Sequence, residues 1–274
     1  MSTMNDGNAS RRHTIADAAA ARPSNVSPSV ITGRPQKTAM IVAQRIVNEI
    51  QVNKLGAGAK LPSERVMLEE YAVGRGTLRE ALRFLEFQGV VVMKPGPGGG
   101  PVVRRPDASH LGSTLVLLLQ FSAAPFRVIA EARAAVEPMI AYLAAQRITD
   151  EDLGRLARSV EVMQGNIDDR AIFIEENKQF HDIIAWSSDN ALFGYLVDSI
   201  LGILDGTLLG IDYPPHRRKA VVAAHRNILG ALDARDPAAA EESMARHIEA
   251  YIKYAEKKYP DILDQAISWD QVSS

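Results

Sequence analysis

From Gln36 onward the apolar positions fall three and four residues apart, with Ile41, Ile46, Val47 and Ile50 forming one stripe. That spacing predicts a helix running toward the Gly56-Ala57-Gly58 turn. The stretch "LPSERVMLEEY" follows, with Ser63 placed as an N-cap and Met67, Leu68 and Tyr71 facing inward. After a turn through Val73 and Gly74, residues 75–88 set Leu78, Ala81, Leu82 and Leu85 on one side and Arg75, Arg79 and Arg83 on the other. Gly89 ends that helix. The β-branched runs "VVVM" and "PVVR", separated by "KPGPGGG", predict a hairpin whose glycine-rich tip can approach another surface closely. Three helices and a two-stranded wing describe a winged helix-turn-helix with its recognition helix at 75–88.

The remaining residues carry amphipathic helical patterns near 107–121, 126–147, 150–164, 169–188, 190–209, 215–234 and 237–258. Their boundaries are readable: Thr149 with Asp152 as a capping box, Asn190 as an N-cap, Pro214-Pro215 as a breaker, and Asp236-Pro237 as N-cap and N1. The expected fold is mainly α, an N-terminal winged helix-turn-helix at 34–105 and an all-helical bundle at 106–274, preceded by a tail at 1–33. The tail is rich in Ser, Ala, Asn and Pro without apolar periodicity, although "RRHTIADAAAAR" also admits reading as an organelle-targeting helix.

Charge changes the picture once it is divided along the chain. The 274 residues sum to −2, but 34–105 hold 12 Lys/Arg against 6 Asp/Glu and 106–274 hold 16 against 25. A basic unit is joined to an acidic one, and the basic unit suits a polyanion. With no cysteine, disulfides, thiolate metal sites and a cysteine nucleophile are excluded, which fits a cytoplasmic protein. The longest apolar run, around Leu115 to Phe121, is far short of the roughly 18 residues of a membrane span, so no membrane partner is expected.

Only six histidines occur, and three lie in otherwise apolar helical rows: Ile174, Asn177, His181, Ile184; Val221, His225, Ile228, Leu232; and Met244, His247, Tyr251. A lone inward imidazole is ordinarily a satisfied core residue. Three on separate helices of one bundle, with the Asn177 amide one turn before the first, suit a divalent metal such as Zn, Ni or Fe. Arg133 lies on the row Ile129, Arg133, Val136, Ile140, so its guanidinium points toward the core and needs an anion. Two partners stand open for it: Glu137 at i+4, or a ligand.

The exposed row of the recognition helix can present amides, the Thr77 hydroxyl and forked cations to phosphates and guanine edges. The long motif "LPSERVMLEEYAVGRGTLREALRFLEFQGVV" resembles the DNA-binding signature of the GntR family of bacterial transcription regulators, and the helical remainder resembles the FCD ligand domain of one of its subfamilies. The resemblance implies that Arg65, Arg75, Gly76, Thr77 and Arg79 meet operator DNA and that the wing glycine, Gly98, approaches the minor groove. It implies a metal bound by an Asp-x-x-x-His pair and two later histidines, matched here by Asn177, His181, His225 and His247, and a ligand carboxylate bound by Arg133. The sequence departs from the family at Gly74 and Gly76, where Ser or Thr is common, in a wing without its usual basic residue, and at Asn177, where Asp is frequent.

Three classes of function fit these features. The first is a ligand-responsive regulator that binds a palindromic operator as a homodimer and senses a small carboxylate. The second is a metal-dependent hydrolase fused to a DNA-binding module, against which no surplus carboxylate is placed as general base. A purely structural DNA-binding dimer would leave Arg133 and the inward histidines without a role.

Overall fold

The computed structural model describes residues 35–96, 98–204 and 213–269. Helix α1 spans Pro35–Val52, α2 Glu64–Tyr71 and α3 Arg75–Phe87. Strands β1 (Val91–Lys94) and β2 (Gly100–Val103) pair antiparallel, in register Val91↔Val103 through Lys94↔Gly100. The expected elements are in place. Ser63 caps α2 by accepting from the Val66 amide, and the left-handed Gly89, at φ +69°, turns the chain after α3. Val42, Ile46, Met67, Leu78, Leu82, Leu85 and Val91 form this unit's core.

The wing has an edge that periodicity did not reveal. Residues before α2 pair with β2: Gly58 and Leu61 donate to the Val103 and Pro101 carbonyls at 2.8 and 3.0 Å, and Val103 donates to Ala59 at 2.8 Å. No alternating apolar pattern marks this stretch, so its pairing was not readable from the chain.

The bundle contains α4 (Ser109–Phe121), α5 (Arg127–Arg147), α6 (Asp150–Gly165), α7 (Arg170–Ser187), α8 (Ala191–Ile203), α9 (Pro215–Asp233), α10 (Pro237–Lys258) and the short α11 (Pro260–Leu263). The expected helix at 190–209 ends at Ile203, with Leu204 as its C-cap; 205–212, like the tail at 1–33, lie outside the described residues. Thr149, Asn190 and Asp236 each accept a first-turn amide, at 3.1, 3.1 and 3.0 Å. At Thr149 the hydroxyl also donates to the Asp152 carboxylate at 2.8 Å. Among the described residues no helix is long and apolar enough to cross a membrane.

Helix α5 organises the bundle. Its buried stripe runs Ile129, Ala130, Arg133, Glu137, Ile140, Ala141, Ala144 and Ala145, and its small residues let neighbouring helices come close. The core formed with Phe173, Phe180, Ile183, Val222, Ile228, Leu232, Met244 and Ile248 is continuous. Two charged residues thus interrupt an apolar stripe at the height where α7, α9 and α10 converge. His110 in α4 meets the ring of Phe87, the last residue of α3, edge-on at 5.5 Å.

Candidate functional site

The residues expected to meet DNA lie on α2, at the start of α3 and in the wing. Arg75, Gly76 and Arg79 are exposed, and Thr77 is half-buried at the start of α3. The helix is entered from Gly74, whose extended backbone offers no side chain to cap the first turn. Where a Ser or Thr would occupy an amide, glycine leaves the first-turn N–H groups available to a phosphate. Arg65, exposed on α2, is held by Glu69 at 2.9 Å, an exposed pair that an incoming phosphate can displace at little cost. Gly98 is exposed in the wing tip with φ +75°, a conformation that favours glycine. Replacing Arg75 or Arg79 by alanine is expected to cost about 1–3 kcal/mol at the operator and to relax preference at one base position, read by titration against single-base operator variants. Equal loss on every sequence would reduce these residues to phosphate contacts.

The second site lies within the bundle. His181 from α7, His225 from α9 and His247 from α10 are all buried, with one ligating nitrogen from each within 4.8 Å of the others. His247 Nε2 stands 3.2 Å from His181 Nε2 and 3.3 Å from His225 Nε2. A tetrahedral ion bound at the usual Zn–N length of about 2.0–2.1 Å sets its ligand nitrogens about 3.3–3.4 Å apart, close to both separations from His247, and three imidazoles are a donor set that suits a divalent metal. Glu137 Oε2 lies 2.6 Å from His181 Nδ1. A carboxylate there fixes the proton on Nδ1 and leaves the Nε2 lone pair facing the other two imidazoles. Phe180 stacks on His225 with centroids 3.9 Å apart and planes 8° from parallel, which holds that ring's orientation.

Burial, the neighbouring imidazoles and Arg133 all push the His225 and His247 rings well below the ordinary histidine range, so both remain neutral and able to ligate. Burial alone would raise the Glu137 carboxyl, but Arg133 and His181 outweigh it and hold the group well below the usual carboxylate range. The Arg133 guanidinium, disfavoured by burial, is raised by Glu137 and, less, by Tyr251 and Tyr213.

Of the two partners open to Arg133, Glu137 is the one that stands against it. The Arg133 Nε donates to Glu137 Oε1 within the buried pair, and the same side chain lines two adjoining cavities of about 60 and 50 Å3. Asn177, Tyr213 and Tyr251 belong to both walls, while His181, His247 and Arg217 line only the second cavity. Asn177 is therefore on the wall, one turn before His181.

Sequence reasoning missed three features. Glu137 was weighed only as a partner of Arg133, yet its second oxygen orients His181. Tyr213 and Tyr251 as cavity walls had no sequence signal beyond a partly apolar row. A carboxylate, Glu137, does stand beside His181. Both its oxygens are engaged, however, and its depressed pKa makes it a poor general base.

A winged helix-turn-helix with a cationic recognition helix, joined to a helical bundle enclosing a histidine cluster and an arginine-lined cavity, defines a ligand-domain transcription regulator. The chain belongs to the GntR family. Residues 38–99 match the model of "Bacterial regulatory proteins, gntR family" and residues 128–250 that of the FCD domain. It is 31% identical over 208 residues to the uncharacterized HTH-type transcriptional regulator YcbG of Bacillus subtilis (strain 168), covering 76% of this chain and 85% of that one. It is 28% identical over 220 residues to the HTH-type transcriptional repressor NanR of Salmonella newport (strain SL254), covering 78% and 84%. Among solved structures, Streptococcus agalactiae GntR superposes with a TM-score of 0.63 at 26% identity, over 78% of this chain and 99% of that one.

Proposed function

We propose that this regulator binds a near-palindromic operator as a homodimer, one winged helix per half-site, and that a small carboxylate in the α5–α7–α9–α10 cavity sets its DNA affinity. His181, His225 and His247 would hold a divalent metal, with Asn177 as a neutral fourth candidate. Arg65, Arg75, Gly76, Thr77, Arg79 and the wing glycine Gly98 would meet the DNA. The observation that carries the reading is a cluster of three buried imidazoles, one of them hydrogen-bonded to Glu137, of which His181 and His247 line the cavity that Arg133 also lines.

When bound, a divalent ion supplies an electrophilic centre for an acid's oxygen. The chain's own residues do the rest. Arg133 spends Nε on Glu137, leaving its two terminal nitrogens for a carboxylate. Arg217, which donates to the Ala250 carbonyl at 3.1 Å, adds positive potential at the wall. Tyr213 and Tyr251, raised by burial, stay protonated and can donate hydrogen bonds. A carboxylate bridging α5 and the facing helices would favour one arrangement of the bundle. That change reaches DNA only to the extent that the acid binds the two arrangements differently.

The hydrolase reading finds no base in this arrangement, and the family is one of transcription regulators. Acid extraction of the purified protein followed by mass spectrometry is expected to release a small organic acid. Light scattering of the full chain is expected to give twice 29.8 kDa. Asn177→Asp should tighten metal binding at least about tenfold by placing an anionic oxygen beside the histidines, as followed by calorimetry with Zn or Ni. Unchanged affinity in that variant would remove Asn177 from the ligand set.

A further inference from the structure

The wing tip between Lys94 and Val102 contains only proline and glycine, so it brings no charge of its own. A Cβ at Gly99 would overlap the carbonyls of Lys94 and Gly96, which closes that position to any side chain. The cations at this wing come from outside the tip. Lys94 is paired with Gly100 on one edge of β2, and Lys60, in the segment before α2, is bridged to Val102 on the other edge. Directly opposed residues of an antiparallel ladder share a face, and so do positions two apart along a strand. Lys60, Val102, Gly100 and Lys94 therefore stand on one face, opposite the face whose Val91 and Val103 pack into the domain core. Both lysines are exposed, and Lys60 Nζ donates to the Gly98 carbonyl at 3.4 Å. Together with Gly98, Gly99 and Gly100 they line one concavity.

We infer that Lys60 and Lys94 form a two-cation clamp for DNA backbone phosphates beside the groove that the wing enters, with Gly98, Gly99 and Gly100, which carry no side chain, letting the backbone come close between them. The inference rests on the DNA-binding reading above. An ammonium with three donors can keep its bond to Gly98 and still meet a phosphate oxygen. A clamp of this kind positions the wing without reading sequence.

The test is a salt titration of the full-length protein on two duplexes, an operator selected in vitro with the wild type and a random-sequence duplex of the same length. Lys60→Gln and Lys94→Gln are each expected to lower the slope of log affinity against log salt by about 0.9 for every half-site bound, and the double variant by about 1.8. Base preference should stay unchanged, and Lys60→Arg should restore the slope. An unchanged slope in the double variant, with thermal unfolding like the wild type, would overturn the clamp. A wild type that binds neither duplex would instead overturn the DNA-binding reading. An Arg79→Ala control that changes base preference while the lysine variants do not separates clamp from readout.

Discussion

Replacing Glu137 by alanine is expected to cost about 3–5 kcal/mol of stability, the largest single-residue loss outside the hydrophobic core. The carboxylate is buried at 3% exposure, between a guanidinium at 7% and the fully enclosed His181 ring. Removing it leaves Arg133 charged, buried and without its partner, and frees the ring that it orients. For a domain of this size the loss should lower the unfolding temperature by roughly 6–20 °C. The double substitution Arg133→Met with Glu137→Leu leaves no isolated charge and should recover much of that loss. Thermal unfolding of the two single variants and the double variant measures the coupling. Additive losses would mean that the pair is not the unit described.

The second large effect is a loss of metal-dependent stability. A ligand present at a thousand times its Kd stabilises the folded state by about 4.1 kcal/mol, provided that it does not bind the unfolded chain. Wild-type protein should therefore unfold at distinctly higher temperature with Zn or Ni than with a chelator. In His225→Gln and His247→Gln that difference should vanish. Comparing metal with chelator within each variant cancels the packing cost of the substitution itself, which matters because His225 is fully buried and stacked on Phe180. A metal-induced shift that survives in both variants would place the ion elsewhere.

The winged domain was legible almost residue by residue, because its helices are short, amphipathic and punctuated by Ser63, Gly74 and Gly89, each a local signal. The bundle's helices were equally readable from caps such as Thr149, Asn190 and Asp236. Local signals end where partners are far apart in sequence. The pairing of residues 58–61 with β2 joins segments 40 to 45 positions apart along the chain, and no alternation announces it. At the site, periodicity put His181, His225, His247 and Arg133 on inward faces, since a polar residue in an apolar row is visible in the chain. It did not reveal that Glu137 serves Arg133 and His181 together, because that depends on how α5 and α7 cross. The same geometry changes how Arg133 should be tested. Alanine there would strand a buried carboxylate and confuse binding with folding, whereas lysine keeps the charge and removes the planar fork.

The most direct measurement is therefore an operator titration of wild type and Arg133→Lys, each with its metal, with and without the acid recovered from the purified protein. Wild type should change its operator affinity by about 5–150-fold on adding the acid. Arg133→Lys should bind the operator as tightly as wild type does without the acid, and should not respond when it is added. A full response in Arg133→Lys, or a wild type indifferent to every acid that copurifies with it, would contradict the account.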